Sequence, residues 1–356
     1  MVRVRLSVLD QSPVSEGSTG AQALSNTLDL AVRSDELGYH RYWVAEHHGG
    51  PMLAGTSPEV LIAAIASATA RLRVGSGGVM LPHYSPFKVA ETFSVLSGLF
   101  PGRIDLGVGR TSGGDAMTAF ALQRERRYPG ADDFPQQLAE LLSYLDGSIV
   151  PDHPFASLAG VLPGRPERPQ PWLLGSSRDS AIWAAQVGLP YAFGDFINPW
   201  GADLARLYRQ RFTPSDQVSE PRVAVAVWVL CAHSDEEAEA LATCGRMASI
   251  VEREGEPIPV PSVESAQRFL AARDPGDDAG AEAGAEHRRR RVIGDPGSVR
   301  SELEQVADLY GAEEVIVVTI THDHEARVRS YELIAETFGL LPSHQRRRRA
   351  YDRAHQ

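Results

Sequence analysis

The sequence predicts an α/β fold, a (β/α)8 TIM barrel with insertions, on three observations. Eight short β-type runs alternate with helical stretches through most of the 356 residues, the pattern of parallel strands joined by right-handed crossovers. A barrel of this kind needs about 250 residues, so the length leaves room for excursions. Glycines, histidines, an arginine and serines collect where strand candidates end, and a barrel carries its chemistry at those ends. A doubly wound open sheet is the alternative. A dinucleotide-binding version of it is disfavoured, because no glycine fingerprint follows the first strand.

Val2 to Leu9 reads as the first strand and Ala21 to Leu37 as the helix after it. Arg41 to Ala45 is the second strand. The helix from Pro58 to Ala70 starts with a Ser57 hydroxyl before proline at the first helical position. Leu72 to Val79 is strand three and Pro86 to Leu99 its helix; Arg103 to Val108 is strand four, with a glycine-containing loop and a helix from Asp132 to Leu145. Pro171 to Leu174, the helix Asp179 to Val187, and Tyr191 to Phe193 follow. Arg222 to Cys231 alternates valine and alanine and precedes a helix from Asp235 to Glu254. The helix Pro296 to Leu309, the strand Glu314 to Ile320 and the helix Glu325 to Phe338 complete the set.

These elements define one domain over residues 1–342. Two segments depart from the pattern. Val150 to Pro169 is proline-rich and is expected to be an ordered excursion. Residues 257–291 start proline-rich and become an Ala/Gly/Asp/Glu stretch ending in arginines, with too few large apolar groups to offset ordering entropy, so mobility is expected there. Residues 343–356 read as a basic, solvated tail.

Composition removes several function classes. The 35 basic and 46 acidic residues give a net charge of −11, which disfavours a broad nucleic-acid surface. No run of 18 apolar residues occurs, so no membrane span is expected. Cys231 and Cys244 are too few for a disulfide framework, and a reducing cytoplasm is the simplest setting. Lys88 is the one lysine, so Schiff-base chemistry would have to rest on it.

Four strand ends describe one pocket. The second runs Tyr42-Trp43-Val44-Ala45-Glu46-His47-His48-Gly49-Gly50. Adjacent side chains on extended backbone point to opposite faces, so the two histidines are poorly placed to share an ion and no metal is expected; one imidazole facing the pocket is the favoured reading, a structural histidine the plainer one. Strand three ends Val74-Gly75-Ser76-Gly77-Gly78, and glycines inside a strand mark a bulge or a close approach; room for a planar ring is the expectation. Strand four ends in Gly109-Arg110, the arginine being a planar fork suited to phosphate. Strand five ends Gly175-Ser176-Ser177-Arg178-Asp179-Ser180 and turns at once into a helix, whose first amides and hydroxyls suit an anion. Ordinary N-capping is compatible with this. The combination describes a mononucleotide cofactor such as a flavin.

The blocks Trp43-x-x-Glu46-His47-His48, Val74-Gly75-Ser76-Gly77-Gly78 and Pro101-Gly102-Arg103-Ile104-Asp105-Leu106-Gly107-Val108-Gly109-Arg110 together resemble the bacterial luciferase-like flavin monooxygenases, a group that includes oxygenases tailoring aromatic polyketide antibiotics. The likeness extends from Leu6 to Glu332. It implies a luciferase-like barrel, a homodimer, reduced FMN (FMNH2) from a separate flavin reductase, and O2 used through a C4a-hydroperoxyflavin to hydroxylate or epoxidise a small-molecule substrate. His47 is implied as the catalytic histidine. Ser76, Gly77, Gly78, Arg110, Gly175, Ser176, Ser177 and Ser180 are implied at the cofactor, with a cis Gly77–Gly78 bond, a dimer-interface acid at Glu91 and an active-site lid over 257–291. Gly109 replaces a cysteine found beside the flavin in true luciferases, and Ser176 an acidic residue, which argues against light emission and a fatty aldehyde substrate. The same fold also serves hydride transfer with the deazaflavin F420, and a non-catalytic flavin-binding protein is a third reading.

Overall fold

The computed structural model describes residues 4–110, 116–122, 133–158, 160–273 and 290–340. Its strands are β1 (Arg5–Asp10), β2 (Arg41–Val44), β3 (Arg73–Met80), β4 (Ile104–Gly109), β5 (Gln170–Gly175), β6 (Tyr191–Gly194), β7 (Val223–Cys231), β8 (Arg291–Gly294) and β9 (Glu314–Val318). Between and after them run α1 (Gly20–Leu37), α2 (Pro58–Ala68), α3 (Pro86–Leu99), α4 (Ala116–Leu122), α5 (Phe134–Asp146), α6 (Arg178–Gln186), α7 (Ala202–Arg211), α8 (Asp235–Arg253), α9 (Val263–Ala271), α10 (Pro296–Tyr310) and α11 (His324–Phe338). Sheet neighbours run β6-β5-β4-β3-β2-β1-β9-β7, and β6 also pairs with β7. Eight parallel strands therefore close on themselves. That closure confirms the barrel and excludes the open sheet.

The four-residue β8 stands outside this circle and pairs with the last turn of the pleat in β7, Trp228↔Arg291 to Cys231↔Gly294. It was not expected, and neither were α4, α7 and α9. Residues 257–273, anticipated as part of a mobile insertion, include α9, which packs on α8, and the fully buried Val260, whose amide donates to Val14 O at 2.8 Å. The remainder of that insertion to residue 289, the glycine loop at 111–115 and the tail lie outside the described residues. Ser57 occupies the N-cap of α2 as expected, but its hydroxyl makes no capping bond. Thr19, Ser177, Ser234, Ser262, Asp295 and Asp323 do cap their helices.

Alternation along each strand divides the core in two. Outward residues such as Leu6, Val8, Val74, Leu106, Val225 and Val317 meet the helices. Inward residues fill the cylinder: Leu9, Trp43, Ala45, Trp172, Ala192, Ala224, Ala226, Ile316 and Val318, with Leu174, Phe196 and Trp228 against them. The indoles of Trp43 and Trp172 meet edge to face at 5.4 Å, and small residues face them on β3, β4, β6 and β7.

At the amino ends of the strands the cylinder is closed by charge. Arg41 donates Nη1 to Asp105 Oδ2 at 2.6 Å and Nε and Nη2 to Glu314 at 2.5 and 3.0 Å. Ser7 adds a hydroxyl to Glu314, and Arg73 and the Trp43 indole N–H add donors to Asp105. Arg41 also lies over the rings of Trp43 and Trp172, at 5.3 and 4.7 Å. A buried charge survives only when its partners satisfy it, and this cluster meets that condition with groups from β1, β2, β3, β4 and β9.

Candidate active site at the carboxyl ends of the strands

His47 follows β2 with its amide fixed to Gly55 O at 2.9 Å. Trp43 and Ala45 face the barrel interior, and His47 continues that alternation toward the mouth. Its Nδ1 is buried and, among the described residues, has no hydrogen-bond partner. Burial, aided by His48 next to it, pulls the imidazole down to about 4, so it is neutral near pH 7 and able to accept a proton only from a strong donor. A buried, unpartnered ring nitrogen is costly unless a ligand completes it.

The neighbouring Glu46 is wholly buried. It accepts from Met80 N at 3.0 Å, Tyr84 OH at 2.9 Å and His48 Nε2 at 2.8 Å. His48 in turn meets the His83 ring edge-on at 6.2 Å. Burial raises the Tyr84 phenol, and the Glu46 charge adds to that; burial lowers His83. Sequence reasoning passed over Glu46 and Tyr84, because nothing local shows that residues 38 apart share a hydrogen bond.

Gly77 and Gly78 are joined by a cis peptide bond, as implied, within a register shift between Ser76 and Val79 against β4. The expected reason for the bare backbone needs correcting. A Cβ on Gly75 would stand 2.5 Å from Asp105 O, and one on Gly78 2.7 Å from Gly107 O, so both glycines admit the neighbouring strand. A Cβ on Gly77 would meet Leu9 Cδ1 at 2.5 Å and Trp43 Cβ at 3.1 Å; the space inside is taken by the protein's own indole. Ser76 is buried and donates its hydroxyl to Gly107 O at 2.8 Å, which leaves its main chain as what it can present to a ligand.

Arg110 follows β4 and lies over the ring of Trp183, 5.2 Å from its centroid. Trp183 belongs to α6, the helix that starts directly after Ser176 and Ser177. The arginine and the serine turn therefore share one side of the mouth, as adjacent strands β4 and β5 require (Val108↔Leu173). Ser177 and Ser180 form a reciprocal capping box, each accepting the other's backbone N–H at 3.3 Å, and Ser180 Oγ is also bonded to Tyr191 OH at 3.0 Å. Both hydroxyls thus carry structural duties, and Gly175 has no Cβ because Ser180 fills its place. The Ser176 carbonyl accepts from Asn198 Nδ2 at 2.9 Å, tying the loop after β6 to the turn; sequence reasoning missed this residue as well. The first-turn amides of a helix have no intrahelical acceptor; Ser177 Oγ takes that of Ser180, and Arg110 stands over Trp183 in the second turn of the same helix.

Over the loop after His48, α4 comes close enough that a Cβ on Gly49 would strike the Thr118 side chain; Gly49 has φ +76°, which favours glycine for a second reason. On the opposite wall Phe196 stacks on Trp228 at 5.9 Å, with Arg291 over the same indole at 4.9 Å. Among the described residues no group of three or more His, Cys, Asp or Glu is arranged to hold a metal, and no helix is long and apolar enough to cross a membrane.

The sequence profile of the family described as luciferase-like monooxygenase matches residues 4–313. N-acetyl-S-alkylcysteine monooxygenase of Bacillus subtilis (strain 168) is 36% identical over 334 residues, covering 94% of this chain and 98% of the relative. The crystal structure of apo-MsnO8 superposes with a TM-score of 0.87 at 41% identity, covering 96% of this chain and 99% of that one. The oxygenating constituent of 3,6-diketocamphane monooxygenase of Pseudomonas putida, a type II Baeyer–Villiger enzyme solved with FMN, shares the fold at a TM-score of 0.67 and 20% identity, over 94% of this chain and 97% of that one.

Proposed function

The chain belongs to the luciferase-like monooxygenase family and is a monooxygenase; on that premise we propose that it is the oxygenase of a two-component system. It takes FMNH2 from a separate reductase and uses O2 to oxidise a small organic molecule. The observation that carries the flavin is the placement of Arg110 over Trp183 of α6, on the side of the mouth where that helix begins. A guanidinium beside exposed helix amides fits a phosphate monoester, and the orphaned His47 Nδ1 fits a polar group held above the barrel.

Arg110, the amides of Arg178 and Asp179 that follow Ser176 and Ser177, and the main chain at Gly77–Gly78 would hold FMN, with Ser177 and Ser180 keeping the turn in shape. Bound in its reduced form, the cofactor supplies the two electrons that activate O2. The chain's own residues do the rest. His47, neutral near pH 7, takes or returns a proton at Nδ1. The apolar interior beneath it, Leu9, Trp43, Trp172, Leu174 and Val318, keeps water from the reacting atoms.

The substrate is a small organic metabolite: a thioether, in keeping with the name of the N-acetyl-S-alkylcysteine relative, or a polyketide-type secondary metabolite, as the sequence resemblance implies. The protomer pairs with a second copy through α2 and α3, where Val60, Val95 and Leu99 are exposed and Glu91, ion-paired to Lys88, lies half-exposed. FMN, FMNH2 and F420 titrated separately, followed by oxygen uptake and product analysis, test the reading. Tight FMNH2 binding with oxygen-dependent product supports it. Selective F420 binding without oxygen uptake would replace it with hydride transfer, and FMN binding without either product or peroxide would make this a carrier.

A further inference from the structure

We infer that Glu46 is the positioning residue of this site: its one carboxylate fastens the ends of β2 and β3 together and so fixes where His47 points relative to the Gly77–Gly78 backbone. The inference rests on the reading of His47 as the proton-handling group.

The carboxylate is fully buried, and among the described residues no lysine or arginine lies within ion-pair distance of it. A carboxylate without a cation needs hydrogen-bond donors, and three are supplied. Oε2 accepts from Met80 N, the last residue of β3 and two beyond Gly78; Oε1 accepts from Tyr84 OH, in the turn before α3, and from His48 Nε2. Two of these donors come from beyond the β3 bulge, and the third from the residue on the far side of His47. Because neighbouring side chains on extended backbone point to opposite sides, holding Glu46 and His48 against β3 leaves His47 the opposite direction, toward the mouth. The Gly55 carbonyl then fixes the His47 amide. The bond to Oε1 also requires the hydrogen of a neutral His48 to sit on Nε2.

Glu46→Leu isolates the effect: at similar volume it removes both carboxylate oxygens, so the Met80 main-chain N–H, the Tyr84 hydroxyl and His48 lose their common acceptor. The experiment measures backbone amide exchange at Met80 and His47 in the ligand-free protein and product formed per FMNH2 oxidised. Exchange at both amides should rise by at least ~10-fold. Coupled product should fall ~10- to 100-fold, the usual cost of misplacing a reacting group by about an ångström, while FMN affinity falls by less than ~10-fold because Arg110 and α6 are untouched. Tyr84→Phe removes one donor and leaves Oε2 on Met80. It should speed His47 exchange and lower coupling by a smaller factor, and it carries the test if the leucine variant does not fold. Wild-type exchange in a folded Glu46→Leu protein overturns the inference, as does faster exchange with unchanged coupling while His47→Ala abolishes it. If His47→Ala leaves coupling unchanged, the role given to His47 fails, and the exchange data still decide whether Glu46 joins the two strand ends.

Discussion

Arg41 donates Nη1 to Asp105 Oδ2 at 2.6 Å with both side chains shut off from solvent. The same guanidinium serves Glu314, so removing it leaves the buried Glu314 without a cation and takes one donor from Asp105. Arg41→Met should lower unfolding stability by about 3–5 kcal/mol, measured by denaturant titration. Asp105 keeps Arg73 in that variant, which places the loss on the Glu314 side, and Arg41→Met combined with Glu314→Gln should recover part of it.

His47 gives the protein a pH signature. Its imidazole is held down near 4 in the folded chain and returns to about 6.5 on unfolding. Below pH 6.5 the unfolded state binds the proton first, so the stability present above that pH declines as the pH falls toward 4. His47→Gln should flatten this part of the profile, with melting temperatures at pH 7.5 and pH 5 differing less than in the wild type. If the two proteins lose the same amount, the histidine is not held neutral by the fold.

The two glycines of the β3 bulge should respond unequally to alanine. At Gly77 the new methyl meets the movable end of Leu9, whereas at Gly78 it meets the main-chain oxygen of Gly107. Overpacking costs about 1–3 kcal/mol, and Gly78→Ala should sit at the top of that range with Gly77→Ala below it. Chemical denaturation of both variants checks the order.

Arg110→Ala and Ser177→Ala separate cofactor binding from helix capping. The arginine change should weaken FMN binding ~10- to 100-fold. The serine change should cost about 1 kcal/mol of stability through its lost cap, with a smaller effect on FMN. Fluorescence titration and calorimetry on the same preparations distinguish the two. Equal affinity in Arg110→Ala would remove the phosphate from that side of the mouth.

Leu99→Asp on α3 should convert a dimer to a monomer without unfolding it, read by sedimentation. A monomeric wild type would leave the exposed Val60, Val95 and Leu99 as ordinary surface.

The barrel was legible because it is built from local signals: alternating Val/Ala in β7, Ser-Pro and Ser-Ser helix starts, and glycines at β3. The elements that escaped are those whose stability is borrowed. The four residues of β8 follow an arginine run and are held by β7, and α7 is a charged ten-residue helix after Trp200-Gly201. At the site, the types of residue at the strand ends were readable, and Arg110 does lie beside α6. The duty of Ser76 toward the main chain was not, nor was that of Glu46. Ser76 and Glu46 depend on partners tens of residues away, about which periodicity carries no information, whereas the Ser177–Ser180 cap is local and was compatible with the sequence.

The β1–β9 seam has a consequence for biosynthesis. β1 is synthesised before every other strand of this sheet, yet its edge opposite β2 is covered only when Arg5↔Glu314 to Val8↔Val317 can form. Until then the walls of the pocket can be present while Arg41 lacks its second carboxylate and the amino-terminal strand stays open to foreign pairing. A nascent chain halted short of Glu314 is thus expected to be sticky and a target for chaperones, however complete its cofactor-binding half.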